Sequence, residues 1–232
     1  MFLHEIEITP ELKDELNKAG IVVVHDYGDL LLKSRSLENS VKVRVAGQML
    51  DSLLRHLRGY ETPWSELRGK KVLDLASGSV FSKASFGAWN PHFSRLCAVN
   101  GARVVAMDIN PQGPYDEKLF TGIKADIVDL VVNIGLPNHP GLQEASFDVI
   151  HSQQFVGGDP QPEVLSYLKS LGIDKEGFEN KLLEQCGALL TEGGIMTIDR
   201  RNRHYLPIFY RKLNGQIDEL PYTPPARGKQ IF

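Results

Sequence analysis

The stretch Val72-Leu-Asp-Leu-Ala-Ser-Gly-Ser79 decides the fold. Four residues of it are an apolar strand core with an acid at its third position. They run straight into a turn in which Gly78 lets the backbone bend tightly and come close to a ligand. Downstream the pattern repeats: Arg103 to Asp108, Gly122 to Asp126, Phe147 to His151 and Gly194 to Asp199 are further short apolar runs. Their near-continuous hydrophobic centres predict central strands covered on both faces, and the helical stretches between them predict a parallel sheet. Between the first two strands, Asn90 is a candidate cap, Pro91 a candidate first helical residue and Gly101 a stop, with Phe93, Leu96 and Cys97 on the inner face.

In an open parallel sheet, ligands sit beyond the carboxyl ends of the strands, where the strand order reverses. Asp74, Asp108 and Asp126 fall at the ends of three successive strands. Exposed turn amides hold a carboxylate, an acid at the second strand end accepts from both hydroxyls of a ribose, and one at the third accepts from an exocyclic amine. Three acids suit a ligand with an amino group, a diol and an amine, and they repel a pyrophosphate.

On these residues the chain resembles the class I S-adenosylmethionine (SAM) methyltransferases, over about Lys70 to Asp199. The resemblance implies a doubly wound α/β fold, Rossmann-like, with a mostly parallel seven-stranded sheet, and SAM as cofactor. It implies that Asp74 orients the methionine ammonium, that Ala76, Ser77 and Gly78 line the methionine moiety, that Asp108 binds the ribose and that Ile109 flanks the adenine. Ala125-Asp126-Ile127 resembles the adenine-contacting motif, Phe147-Asp-Val-Ile-His-Ser152 the strand bordering methyl transfer, and Leu189 to Ile198 the run into the fifth strand. Two departures stand out: Ala76 and Val80 occupy positions where the family usually has glycines, and the segment Val80 to Trp89 is longer than a compact turn requires. That loop, with Phe81, Phe86 and Trp89, either covers the cofactor or packs on the surface.

His151, Gln153 and Gln154 follow the fourth strand of this unit, near the expected acceptor. Imidazole titrates near neutrality, so His151 is either a general base or a structural histidine. Arg200, with Arg201, Arg203 and His204, follows the fifth strand and is either a subsite for an anionic substrate or a solvated basic turn. Gln153, Gln154 and Arg200 are the candidate substrate residues. No Asn-Pro-Pro-Tyr and no Pro-Cys pair occurs, which disfavours methylation of nucleic-acid bases.

The chain of 232 residues is 42% hydrophobic and 24% charged, with a formal charge of −3, as expected of a soluble globular protein without global attraction to phosphate or anionic membranes. No apolar run reaches the length of a spanning helix, and the acidic start lacks a secretory pattern, so a cytoplasmic protein is expected. Cys97 and Cys186 sit in no metal-binding spacing and are expected reduced and buried; no metal is expected. Two parts are expected: residues 1–69 as a mainly helical N-terminal extension and residues 70–232 as the SAM-binding domain. Within the first, Thr9-Pro10-Glu11 opens a helix closed by Gly20, Ile21 to Val24 is strand-like, and Glu38 to Arg58 has helical apolar spacing. Near the other end, Gly157 to Pro160 opens a segment in which Leu165, Leu168 and Leu171 suggest an amphipathic helix. The tail is broken by Pro221, Pro224 and Pro225, with Lys229 to Phe232 as a candidate edge strand.

The functional expectation is a methyltransferase acting on an O, N or S atom of a small molecule, or of a protein side chain. The alternatives are a binding or regulatory module without turnover and a nicotinamide-dependent oxidoreductase. The last lacks the Gly-x-Gly-x-x-Gly turn it needs.

Overall fold

The computed structural model describes residues 21–26, 29–34, 64–79, 81, 91–114, 116–143, 146–152, 162–201 and 207–221. Two sheets are present among them. The small one is an antiparallel hairpin of β1 (Ile21–Asp26) and β2 (Asp29–Ser34). Strand character at Ile21 to Val24 was expected, but its hairpin partner was not. The helices expected over 9–20 and 38–58 lie outside the described residues.

The main sheet contains β3 (Lys71–Leu75), β4 (Arg103–Asp108), β5 (Thr121–Lys124), β6 (Phe147–Ser152), β7 (Leu190–Arg201), β8 (Pro207–Leu213) and β9 (Gln216–Glu219). Their order is β5-β4-β3-β6-β7-β8-β9. The first five are parallel, while β8 runs antiparallel to both of its neighbours. This is the expected Rossmann-like, doubly wound sheet with seven strands. The chain leaves β3 toward β4 and β5, then returns to β6 on the other side, so the order reverses between β3 and β6. There Asp74 pairs in register with His151, and Leu75 with Ser152. At the opposite end of the same pair, Asp148 fixes the register by accepting from the Lys71 amide at 2.9 Å and the Lys70 ammonium at 3.1 Å.

Alternation along β3 splits its side chains between two cores. Leu73 and Leu75 join Met107, Ile150, Met196 and the inner residues of α5 (Lys175–Leu189) on one face. Val72 joins Val104, Ala106, Val149 and Ile195 on the other, beneath α1 (His92–Val99). Phe93, Leu96 and Cys97 are buried there as expected, each large side chain contributing roughly 1.5–3 kcal/mol. Helix α1 starts one residue later than expected: Pro91 is the cap itself and supplies no side-chain bond, while Asn90 lies outside the described residues.

Short α2 (Asp116–Leu119) precedes β5. After β5, α3 (Ile127–Asp129) continues into a wide π turn over Leu130–Ile134. Gln185 of α5 closes the interruption that follows, donating to the Val131 carbonyl and accepting from the Leu136 amide. In α4 (Pro162–Ser170) the expected leucine stripe is only partly buried: Leu168 is covered, whereas Leu165 and the following Leu171 are about 40% and 39% exposed. The strand expected over Gly122 to Asp126 runs one residue earlier and stops at Lys124, because Asp126 instead begins α3. The hairpin β8–β9 turns at Asn214-Gly215, both with positive φ, and was not expected. Residues 229–232 lie outside the described residues.

Candidate functional site

The carboxyl ends of β3 and β4 carry two loops that are laced together. Ala76 leaves β3 with φ +53°, a left-handed conformation that a glycine would adopt without penalty, and Gly78 follows at +85°. This bend turns the Ser77 amide to the Met107 carbonyl at 3.1 Å and the Gly78 amide to Asp108 Oδ2 at 3.1 Å. Ser79 Oγ donates to the Pro111 carbonyl. From the other loop, Gln112 Nε2 donates to Ser77 Oγ at 3.2 Å and to the Gly78 carbonyl at 3.1 Å. Sequence reading missed Gln112. It is buried against Gly122 of β5, where an added Cβ would lie 2.7 Å from its Cγ.

Asp108 is therefore the corner of the site. Its Oδ1 accepts from the Asn110 amide at 2.9 Å and side chain at 3.3 Å, and its Oδ2 takes the single Gly78 bond. An ionised carboxylate offers about four lone-pair positions, so Oδ2 keeps one unused. Ile109, beside it, is 61% exposed.

Asp74 sits differently. It is only 1% exposed, under α1, where Oδ2 accepts from Ser94 Oγ at 2.6 Å and Oδ1 from His151 Nδ1 at 2.7 Å. This is not the placement expected of a group in direct contact with a ligand's ammonium. An ionised carboxylate only accepts, so Nδ1 of His151 carries the proton. The His151 ring is stacked on Phe93, with centroids 3.7 Å apart, and its Nε2 is buried without a hydrogen bond. Arg95, next along α1, grips Asp116 through two bonds of 2.6 and 3.0 Å, both side chains buried. Three consecutive residues of α1 thus hold the end of β6, the end of β3 and the segment after β4. Ser94, Arg95 and Asp116 carry no signal in sequence spacing, because their partners come from other elements.

Burial, and secondarily the Asp74 carboxylate, pushes the Cys97 thiol well above its usual value; burial alone pushes Cys186 up to about 12. Both are free, buried and neutral, as expected. Asp126 is exposed, and its Oδ1 caps α3 by accepting from the Val128 and Asp129 amides. Ile127 is buried in the core at 4% exposure, away from a ligand surface. Gln153 and Gln154 lie outside the described residues, and Arg200 is placed only as a residue of β7. Among the described residues no cluster of metal-binding side chains occurs, and no helix is long and apolar enough to cross a membrane.

No family model matches the chain, nor does any curated protein. The solved structures similar to it include SAM-dependent methyltransferases. One is MycE, a methyltransferase of mycinamycin biosynthesis solved with magnesium, S-adenosylhomocysteine (SAH) and mycinamycin VI. It has 13% identity and a TM-score of 0.38 over 65% of this chain and 32% of MycE, so the chain spans about a third of that protein's length. A second is DesVI of Streptomyces venezuelae, at 7% identity and TM-score 0.38, with 77% of this chain and 67% of that one covered. A third is a SAM-dependent methyltransferase from Mesorhizobium loti, at 15% identity and TM-score 0.33, with 73% and 75% covered. Likenesses this loose add no weight to what the strand order and strand ends establish.

Proposed function

We propose that the chain is a methyltransferase that takes its methyl group from SAM and gives it to a small molecule. The observation that carries this reading is the bond from the Gly78 amide to Asp108 Oδ2. It joins a glycine turn at the end of one parallel strand to an acid at the end of the next, beside the reversal of strand order. Asp108 would hold the ribose diol, with Ile109 against the adenine and the free side of Asp126 toward its amine. Ala76, Ser77 and Gly78 would line the methionine part. Asp74 supports the turn from beneath, through Ser94 and His151. When bound, SAM supplies an electrophilic methyl group, and the chain's task is to align a nucleophile with it.

Titration calorimetry with SAH, followed by transfer from methyl-labelled SAM into a small-molecule extract, tests the proposal. Binding of SAH and label in a low-molecular-weight product are expected. Binding without transfer to any acceptor points instead to a binding module, a reading that alanine in place of glycine at position 76 would fit. If neither SAM nor SAH binds, the proposal fails.

A further inference from the structure

We infer that the β1–β2 hairpin joins two copies of the chain, the outer edge of β2 pairing antiparallel with the same edge of a second copy. The inference is independent of the methyltransferase reading. β1 and β2 pair with each other and, among the described residues, with no other strand. Both faces are apolar along the middle of the hairpin. Ile21, Val23, Leu30 and Leu32 share one face, and Val22, Val24 and Leu31 share the other. A lone two-stranded hairpin is marginally stable in water, and further strands are what make such a sheet hold. Edge strands that stay unpaired usually carry a proline or a charge along their length; the middle of β2 is Leu30-Leu31-Leu32.

The free edge has the symmetry that a second copy requires. β2 begins Asp29-Leu-Leu-Leu-Lys33, with an acid and a base equally spaced about Leu31. Only two residues separate Asp26 from Asp29, so this pair closes the turn and exchanges hydrogen bonds. Alternation makes Val24–Leu31 and Val22–Lys33 the other bonded pairs, which leaves the N–H and C=O groups of Leu30 and Leu32 on the outer edge.

Antiparallel pairing about a twofold axis at Leu31 brings Leu30 of one copy to the partner's Leu32 as a hydrogen-bonded pair, and the symmetry repeats it. Leu31 then lies opposite the partner's Leu31, and Asp29 opposite the partner's Lys33. These are the positions without hydrogen bonds, where strands approach most closely and opposite charges favour the pairing. β1 offers no such match, because it has no lysine or arginine to set against Asp26. A parallel arrangement would place like charges side by side.

Sedimentation equilibrium of the full chain should show a monomer–dimer equilibrium. Asp29→Lys and Lys33→Asp each set like charges opposite one another at both ends of the contact, and each should weaken dimerisation about tenfold or more. Mixing the two variants restores opposite charges at both ends and should restore the dimer, which chains that had merely misfolded would not do. Leu31→Cys should form an intermolecular disulfide on mild oxidation, whereas Leu30→Cys, which meets the partner's Leu32, should not. Cys97 and Cys186 are buried and leave that readout clean. A parent chain that stays monomeric, its edge covered by its own residues, overturns the inference. So does an undiminished dimer in the single variants, a mixture that stays monomeric, or a Leu31→Cys chain that does not cross-link.

Discussion

Asp74 and Asp108 end adjacent parallel strands, yet their surroundings are opposites. Asp108 lies between two loops at the strand ends and accepts from a backbone amide of each. Asp74 lies under a helix, 1% exposed, and is bonded by the side chains of Ser94 and His151. The same residue type at equivalent positions thus fastens two loops to each other in one place and ties a helix to two strands in the other. Whether a strand-end acid meets a ligand depends on the helix that covers it, which strand spacing alone does not reveal.

The strongest way to break the contrast is to remove the tie that holds α1 over Asp74. Arg95→Met should leave Asp116 buried and unpaired, lowering stability by about 3–5 kcal/mol in urea unfolding. Arg95→Met combined with Asp116→Leu should recover most of that loss, since it strands no charge. A double variant as unstable as the single one would show that the pair is not what positions the helix.

The two acids can then be compared directly. Asp74→Asn turns a donor toward either Ser94 or His151 in a dry site and should cost about 2 kcal/mol of stability. Asp108→Asn should cost about half as much, because the Asn110 bonds are only partly buried and water can replace them. It should instead weaken SAH binding about tenfold, or roughly 1.4 kcal/mol. The reverse ranking, read by thermal melts and calorimetry, would sink the assignment of brace and binder.

The cysteines sharpen the same comparison by pH. Both thiols have folded values raised above the unfolded one, so their stabilisation is complete below pH 9.0 and is lost as pH rises toward and through the folded values, about 12 for Cys186. Each should remove about 1.4 kcal/mol per pH unit within that window. Cys97→Ala and Cys186→Ala should each flatten the alkaline fall of the melting temperature, because each removes a thiol that burial keeps protonated. An unchanged alkaline fall in both variants would mean that these thiols are not buried in the folded chain.

The smallest effect belongs to the turn between the two sites. Ala76→Gly relieves the left-handed strain at φ +53° but adds unfolded-chain freedom, for a net gain of up to about 1 kcal/mol. A loss of stability would mean that the alanine methyl group packs usefully enough to repay its strain.

The parallel half of the sheet is legible because buried strands announce themselves as apolar runs, and Val72 to Leu75, Val104 to Met107 and Val149 to Ile150 do so clearly. The glycine turn and Asp108 follow from position relative to those runs. The antiparallel half is harder. The Asn214-Gly215 pair between Phe209-Tyr210 and Ile217 is a recognisable hairpin signal, but the proline-broken tail beyond it drew the reading away. Asp126 reads as the last residue of a strand because an extended acid and a helix cap share the same local sequence; only the bonds to the Val128 and Asp129 amides show that it opens a helix. The grip of Ser94 and Arg95 was hidden for a different reason: it joins residues about twenty positions apart that no periodicity relates.

Gly122 gives the fold an unexpected kind of inheritance. Its own backbone needs no special angle, and it lies on β5, at the sheet's rim. It is nonetheless closed to every other residue while Gln112 stays where it is, because a single added carbon would displace the amide that fastens the glycine turn. A change on one strand would therefore loosen a turn at the end of another, and a shorter side chain at position 112 would make room for it only by giving up the same fastening.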